Sequence, residues 1–138
     1  MRSRIFLTAF LLITSLLCFA YVGDGKWLSH VPDKDRGRAN PFATSPDAVR
    51  AGEKLFQEHC AECHGKEGAG QHGKPALVSA RVRRASDGEL QWLLRNGSLW
   101  NGMPSWSSLP EQQRWQIVTY LRELQRQHPA SDVAWLTY

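Results

Sequence analysis

Sulfur is scarce in this chain: 138 residues contain three cysteines and two methionines. Cys18 lies in an N-terminal apolar run, so Cys60 and Cys63 remain as one close pair, with no second cysteine pair to complete a four-thiolate zinc site. Sustained apolar/polar alternation is also missing, which argues against a sheet. No βαβ pattern precedes the cysteine pair, so a thioredoxin-like redox site lacks its frame. Strong charge is absent too. The formal net charge is +4 and falls to +2 without Arg2 and Arg4, too little to indicate a nucleic-acid partner. The one basic cluster, Arg81-Val82-Arg83-Arg84, reads as a solvated face.

The length indicates a single domain. Arg2 and Arg4 precede an apolar run from Ile5 to Leu17, broken only by Thr8, Thr14 and Ser15. Cys18 and Ala20 then place small residues at −3 and −1 of a cleavage site, so residues 1–20 read as a secretory leader cut after Ala20. The alternative is an uncleaved anchor extended through Val22, which would tether the chain to a membrane through residues 5–22. Either reading exports the rest of the chain, to the periplasm or the outer face of the cytoplasmic membrane.

Cys60-Ala61-Glu62-Cys63-His64 is the c-type haem attachment signal. Two thiols two residues apart can reach the two vinyl groups of one porphyrin. The adjacent His64 can then present an imidazole nitrogen to the iron. A disulfide or half of a zinc site is the competing reading of the pair alone, and the following histidine favours one covalent haem c.

A sixth ligand is at hand. Outside the leader the chain has a single methionine, Met103, 39 residues after His64 in Asn101-Gly102-Met103-Pro104-Ser105-Trp106. Gly102 allows close backbone approach, and Pro104 holds Met103 extended. Filling a gap in the core is the ordinary use of methionine, but a glycine-flanked, proline-locked loop suits an axial thioether better. His59, His72 and His128 are reserve ligands. His59 shares a helical turn with Cys60 and is badly placed for the opposite face.

Three helices are expected. The first runs from about Pro46 to Cys60, with Ser45 as N-cap and Pro46 at N1. Val49, Gly52, Leu55, Phe56 and His59 form its face. Gly52 in mid-helix costs about 1 kcal/mol against alanine, which close approach of another helix would offset. The second spans Asp87 to Asn96, with Ser86 and Glu89 spaced as a capping box and Gly97 at C′. The third runs from about Pro110 to Arg126. Ser108 and Glu111 are spaced as another capping box, Trp115, Val118, Leu121 and Leu124 form the face, Ile117 and Tyr120 widen it, and Pro129 ends it.

The order helix, C-x-x-C-H, proline loop, helix, methionine loop, helix resembles class I c-type cytochromes, the mono-haem His/Met electron carriers. The likeness covers residues 45–127. It implies an all-α, cytochrome c-like fold of three to four helices around the haem, with the N- and C-terminal helices crossing where Gly52 and Phe56 meet Tyr120. It also implies that the Pro75 carbonyl accepts the second N–H of His64, fixing the tautomer and raising ligand basicity. Trp92, Trp100 and Trp106 are expected to line or cover the haem, with ordinary core packing as the alternative. Residues 21–44, rich in Gly, Pro and charge, read as a spacer or a segment draped on the domain, tied down at Asn40-Pro41-Phe42. Residues 128–138 form a tail whose Trp135 and Tyr138 either pack back or contact a partner.

These expectations converge on single-electron transfer. With His64 and Met103 both bound, the iron has no open position, and Fe(III)/Fe(II) cycling is the chemistry left. A thioether ligand and a dry pocket raise the potential. The partners are then redox proteins, an electron donor and an acceptor, met through small interfaces. A dedicated cytochrome subunit of a larger dehydrogenase or oxidase would use the same site. A peroxidase or gas sensor would need an open sixth position and a distal acid–base residue, and no convincing one is found. The sequence leaves the oligomeric state open.

Overall fold

The computed structural model describes residues 26–129. The leader and anchor readings, and Trp135 and Tyr138, lie outside the described residues. Six α-helices occur among those described: α1 (Asp33–Arg36), α2 (Pro46–His59), α3 (Ala61–His64), α4 (Ala80–Arg84), α5 (Asp87–Asn96) and α6 (Glu111–Gln127). Only α2, α5 and α6 are long, and these are the three that the periodicity predicts. The single-turn helices α1, α3 and α4 are too short for an apolar period to register. β-structure among the described residues is one isolated antiparallel bridge, Ser98 to Met103. The fold is therefore all-α.

Helix α2 starts as its sequence dictates, with Ser45 Oγ accepting the Ala48 N–H at 3.2 Å and Pro46 at the first position. Helix α5 carries a complete capping box: Glu89 N–H donates to Ser86 Oγ at 3.1 Å, and Ser86 N–H donates to the Glu89 carboxylate at 2.7 Å. The box expected from Ser108 and Glu111 does not form. Helix α6 begins two residues later, after Pro110, with no side-chain cap. The Glu111 carboxylate accepts the Trp115 indole N–H at 3.3 Å instead, and pairs with Arg38.

The main packing is α2 against α6. A Cβ on Gly52 would stand 2.6 Å from the Gln116 carbonyl carbon and 2.9 Å from Tyr120 Cβ, so only glycine lets the backbones meet there. Beside that contact the Phe56 and Tyr120 rings pack edge to face, 5.4 Å apart. Phe56, Cys60, Ala61, Val78, Ile117, Tyr120 and Leu124 form one apolar cluster, and Ala85, Leu90, Trp115, Val118 and Leu121 form a second. Leu77 and Leu94 pack against both. The haem motif is thus rooted in the core through Cys60 and Ala61.

The segment before α2 is draped on the domain and is not a free spacer. Trp27, Leu28 and Phe42 pack against the second cluster. Arg36 pairs with Glu89 at 2.5 Å and donates to the Val31 carbonyl at 3.1 Å. Ser86 Oγ donates to the Arg36 carbonyl at 2.8 Å. The expected tie at Asn40 is present: its amide donates to Thr119 Oγ1 at 3.0 Å. Nor is the basic cluster wholly a solvated face. Arg81 and Arg84 are exposed, but Arg83 is half-buried and donates to the carbonyls of Val78, Gln125 and His128, fastening α4 to the end of α6.

Candidate haem site

Helix α3 is one turn long and holds Cys60, Cys63 and His64 together. Cys63 N–H and His64 N–H both donate to the Cys60 carbonyl, at 3.2 and 2.9 Å. Neither cysteine is in a disulfide; Cys60 is buried and Cys63 exposed. Burial, with Cys63 adding to it, pushes the Cys60 thiol up to about 12. A buried site that penalises a thiolate is a poor metal or redox sulfur. An uncharged thioether suits it well.

His64 is buried, and its Nδ1 lies 3.0 Å from the Pro75 carbonyl oxygen. A carbonyl only accepts, so Nδ1 carries the proton and Nε2 keeps the lone pair. Burial lowers the imidazole pKa; the Pro75 bond opposes that, and the Lys74 charge adds to the lowering. A neutral imidazole with a free Nε2 is the form that binds iron. The carbonyl is aimed by a tight loop, in which Gly70 N–H donates to the His64 carbonyl at 2.8 Å and Leu77 N–H to the Gly68 carbonyl at 2.7 Å.

Met103 is set by its backbone. It exchanges two hydrogen bonds with Ser98, at 2.9 and 3.1 Å, closing a loop over the 3₁₀ turn Leu99–Asn101. Its side chain is half-buried. The loop then folds onto the end of α5: Trp106 N–H donates to the Leu94 carbonyl at 2.8 Å, and Ser105 Oγ to the Arg95 carbonyl at 2.6 Å. Gly97 is required at this crossing. Its φ is +72°, and a Cβ there would stand 2.7 Å from Ser105 N and 2.8 Å from the Met103 oxygen.

Two contacts bring the distant segments together. The Lys74 ammonium lies against Gly102, 3.1 Å from where a Cβ would be, joining the proline and methionine loops. The His59 and Trp106 rings stand 4.9 Å apart, joining the end of α2 to the methionine loop. Among the expected pocket tryptophans, Trp92 and Trp106 are half-buried, whereas Trp100 is completely exposed and Leu99 beside it is 75% exposed. Packing of the protein alone therefore does not carry Trp100 to the site. Of the reserve ligands, His72 is exposed at a positive φ, and His128 lies at the end of α6, its carbonyl held by Arg83.

Arg114 escapes a reading from sequence. It is buried and donates to the Leu109 carbonyl, bracing the turn that follows the methionine loop. In Gln113-Arg114-Trp115 nothing distinguishes it from a solvated helical arginine.

The donor set fits a c-type haem. Cys60 and Cys63 would form the thioethers, and His64 and Met103 would hold the iron. No group of three or more His, Cys, Asp or Glu side chains that could hold a metal ion occurs among the described residues.

The family described as cytochrome C oxidase, cbb3-type, subunit III matches residues 47–121, more than half of the chain. The chain belongs to this family. It is a c-type cytochrome, an electron-transfer protein with covalently bound haem c. It is also similar to the cbb3-type cytochrome c oxidase subunit CcoP of Rubrivivax gelatinosus, 42% identical over 40 residues, which are 29% of this chain. That stretch is only 13% of the relative. Among solved structures it is similar to cytochrome cL of the marine methylotroph Methylophaga aminisulfidivorans, with a TM-score of 0.52 and 23% identity, over 68% of this chain and 71% of that one. The likeness is one of fold.

Proposed function

We propose that this cytochrome is a single-electron carrier in which Cys60 and Cys63 anchor the haem and His64 and Met103 are the axial ligands. The observation that supports the reading is the His64–Pro75 bond, which keeps the proton on Nδ1 and leaves the Nε2 lone pair free, one residue from the second thiol. When bound, haem would supply reversible Fe(III)/Fe(II) cycling, and ligation by the Met103 thioether would favour the ferrous side. The chain's own part is to hold the sulfur and the imidazole rigidly, so that little rearranges when charge changes. Backbone pairing of Met103 with Ser98, and of His64 with Pro75, serves that end. The ferric holoprotein should show the thioether-to-iron charge-transfer band in the red. Met103→Ala should abolish it, and His64→Ala should yield little holoprotein. A red band that survives Met103→Ala would refute the assignment.

A second reading makes the chain a fixed subunit of a larger oxidase. The family match and the likeness to CcoP favour it. The partners are redox proteins in either case. Size exclusion of native extract separates the two: a carrier elutes at its own mass and a subunit with its complex. We also propose that the chain is exported, in keeping with its attachment motif and leader sequence. N-terminal sequencing of the exported holoprotein tests cleavage after Ala20, and an intact Met1 would leave the anchor.

A further inference from the structure

The methionine loop is held on one side by α5, where Leu94 and Arg95 accept from Trp106 N–H and Ser105 Oγ. Behind it, Arg114 braces the turn through the Leu109 carbonyl. All of these hold backbone or a short hydroxyl. A side-chain contact reaches from this loop to the end of α2, just before the haem motif: Trp106, three residues beyond Met103, tilts at 44° against His59, one residue before Cys60. Both rings are partly buried, and the His59 side chain is 21% exposed. His59 Nε2 also lies 3.8 Å from the Glu58 carboxylate, at the edge of the ring. His59 is therefore well placed as a strut.

We propose that the His59–Trp106 ring pair is a latch that positions Met103, closing the methionine loop onto the end of α2 so that outside ligands do not displace the sulfur. The pair acts through the loop and touches no reacting atom, so His59 and Trp106 are positioning residues. The inference rests on Met103 being an axial ligand. An aromatic contact of this kind biases an open–closed equilibrium of the loop by about two- to tenfold.

The test is an imidazole titration of ferric holoprotein, read as loss of the red charge-transfer band well below the melting temperature. Trp106→Ala and His59→Ala should each raise the apparent imidazole affinity by about fivefold. The double variant should be no worse than either single one, because both remove the same contact. Trp106→Phe and His59→Phe should keep affinities close to the parent's, since a ring remains. Val118→Ala, a core truncation away from the loop, controls for general destabilisation: it should lower the melting temperature and leave imidazole binding unchanged. Alanine variants that melt earlier yet bind imidazole like the parent would overturn the latch while leaving Met103 ligation intact. A parent protein with no red band at all would overturn both.

Discussion

Gly52 meets the carbonyl of Gln116 so closely that a Cβ would stand 2.6 Å from the carbonyl carbon. This one contact sets how near α2 comes to α6, and so where Cys60, at the end of α2, enters the core. Gly52→Ala would gain helix propensity, yet it must push the two backbones apart. Overpacking of this kind costs about 3 kcal/mol. Denaturant melts of the Gly52→Ala holoprotein should show that loss, with the Phe56–Tyr120 packing disturbed. A neutral or stabilising effect would mean that the helices are not held as described.

The draped N-terminal segment should contribute to stability. Arg36 pairs with Glu89, whose side chain is only 11% exposed, and it reaches the carbonyls of Leu28 and Val31. Arg36→Ala removes those bonds and leaves a nearly buried carboxylate unpaired. The arginine is itself 37% exposed, so solvent screens part of the effect. The expected loss is about 2 kcal/mol. A holoprotein melt checks it, and Arg81→Ala, at an exposed position, should change little.

Folding should depend on haem attachment. The two apolar clusters are small, and Cys60 and Ala61 belong to one of them. A domain of this size buries too little surface to be comfortably stable alone. Protein with Cys60→Ala and Cys63→Ala, and no haem, should lack a cooperative thermal transition by circular dichroism. A native-like helical signal with sharp melting would contradict this.

Much of the candidate site is legible in the sequence because the motif is local. Cys60, Cys63 and His64 lie within one turn, and the Ser45 and Ser86 caps are read from residues three apart. Gly52 announced a helix contact because glycine is costly there without one. The Pro75 carbonyl came from the resemblance, and the 3.0 Å contact to His64 agrees with it. What escaped depends on long-range partners. Residues 26–44 have a composition that fits a spacer and a draped segment alike, and their packing on α5 and α6 decides for the second. Arg83 reads as a solvated cation, and Arg114 gives no signal at all, because nothing in their neighbours tells that distant carbonyls await them. Ser108 and Glu111 had capping spacing, but Arg38 and Trp115 take the Glu111 carboxylate. His59 reads as a face residue and a poor ligand, and its use against Trp106 needs the folded loop.

The account rests on both faces of the iron being filled by this chain's own side chains. Paramagnetic proton NMR of the holoprotein tests that most directly. The prediction is one three-proton methionine methyl signal shifted far upfield, present in the parent and absent in Met103→Ala. A high-spin spectrum, or a low-spin one with two imidazoles and no methionine signal, would contradict it.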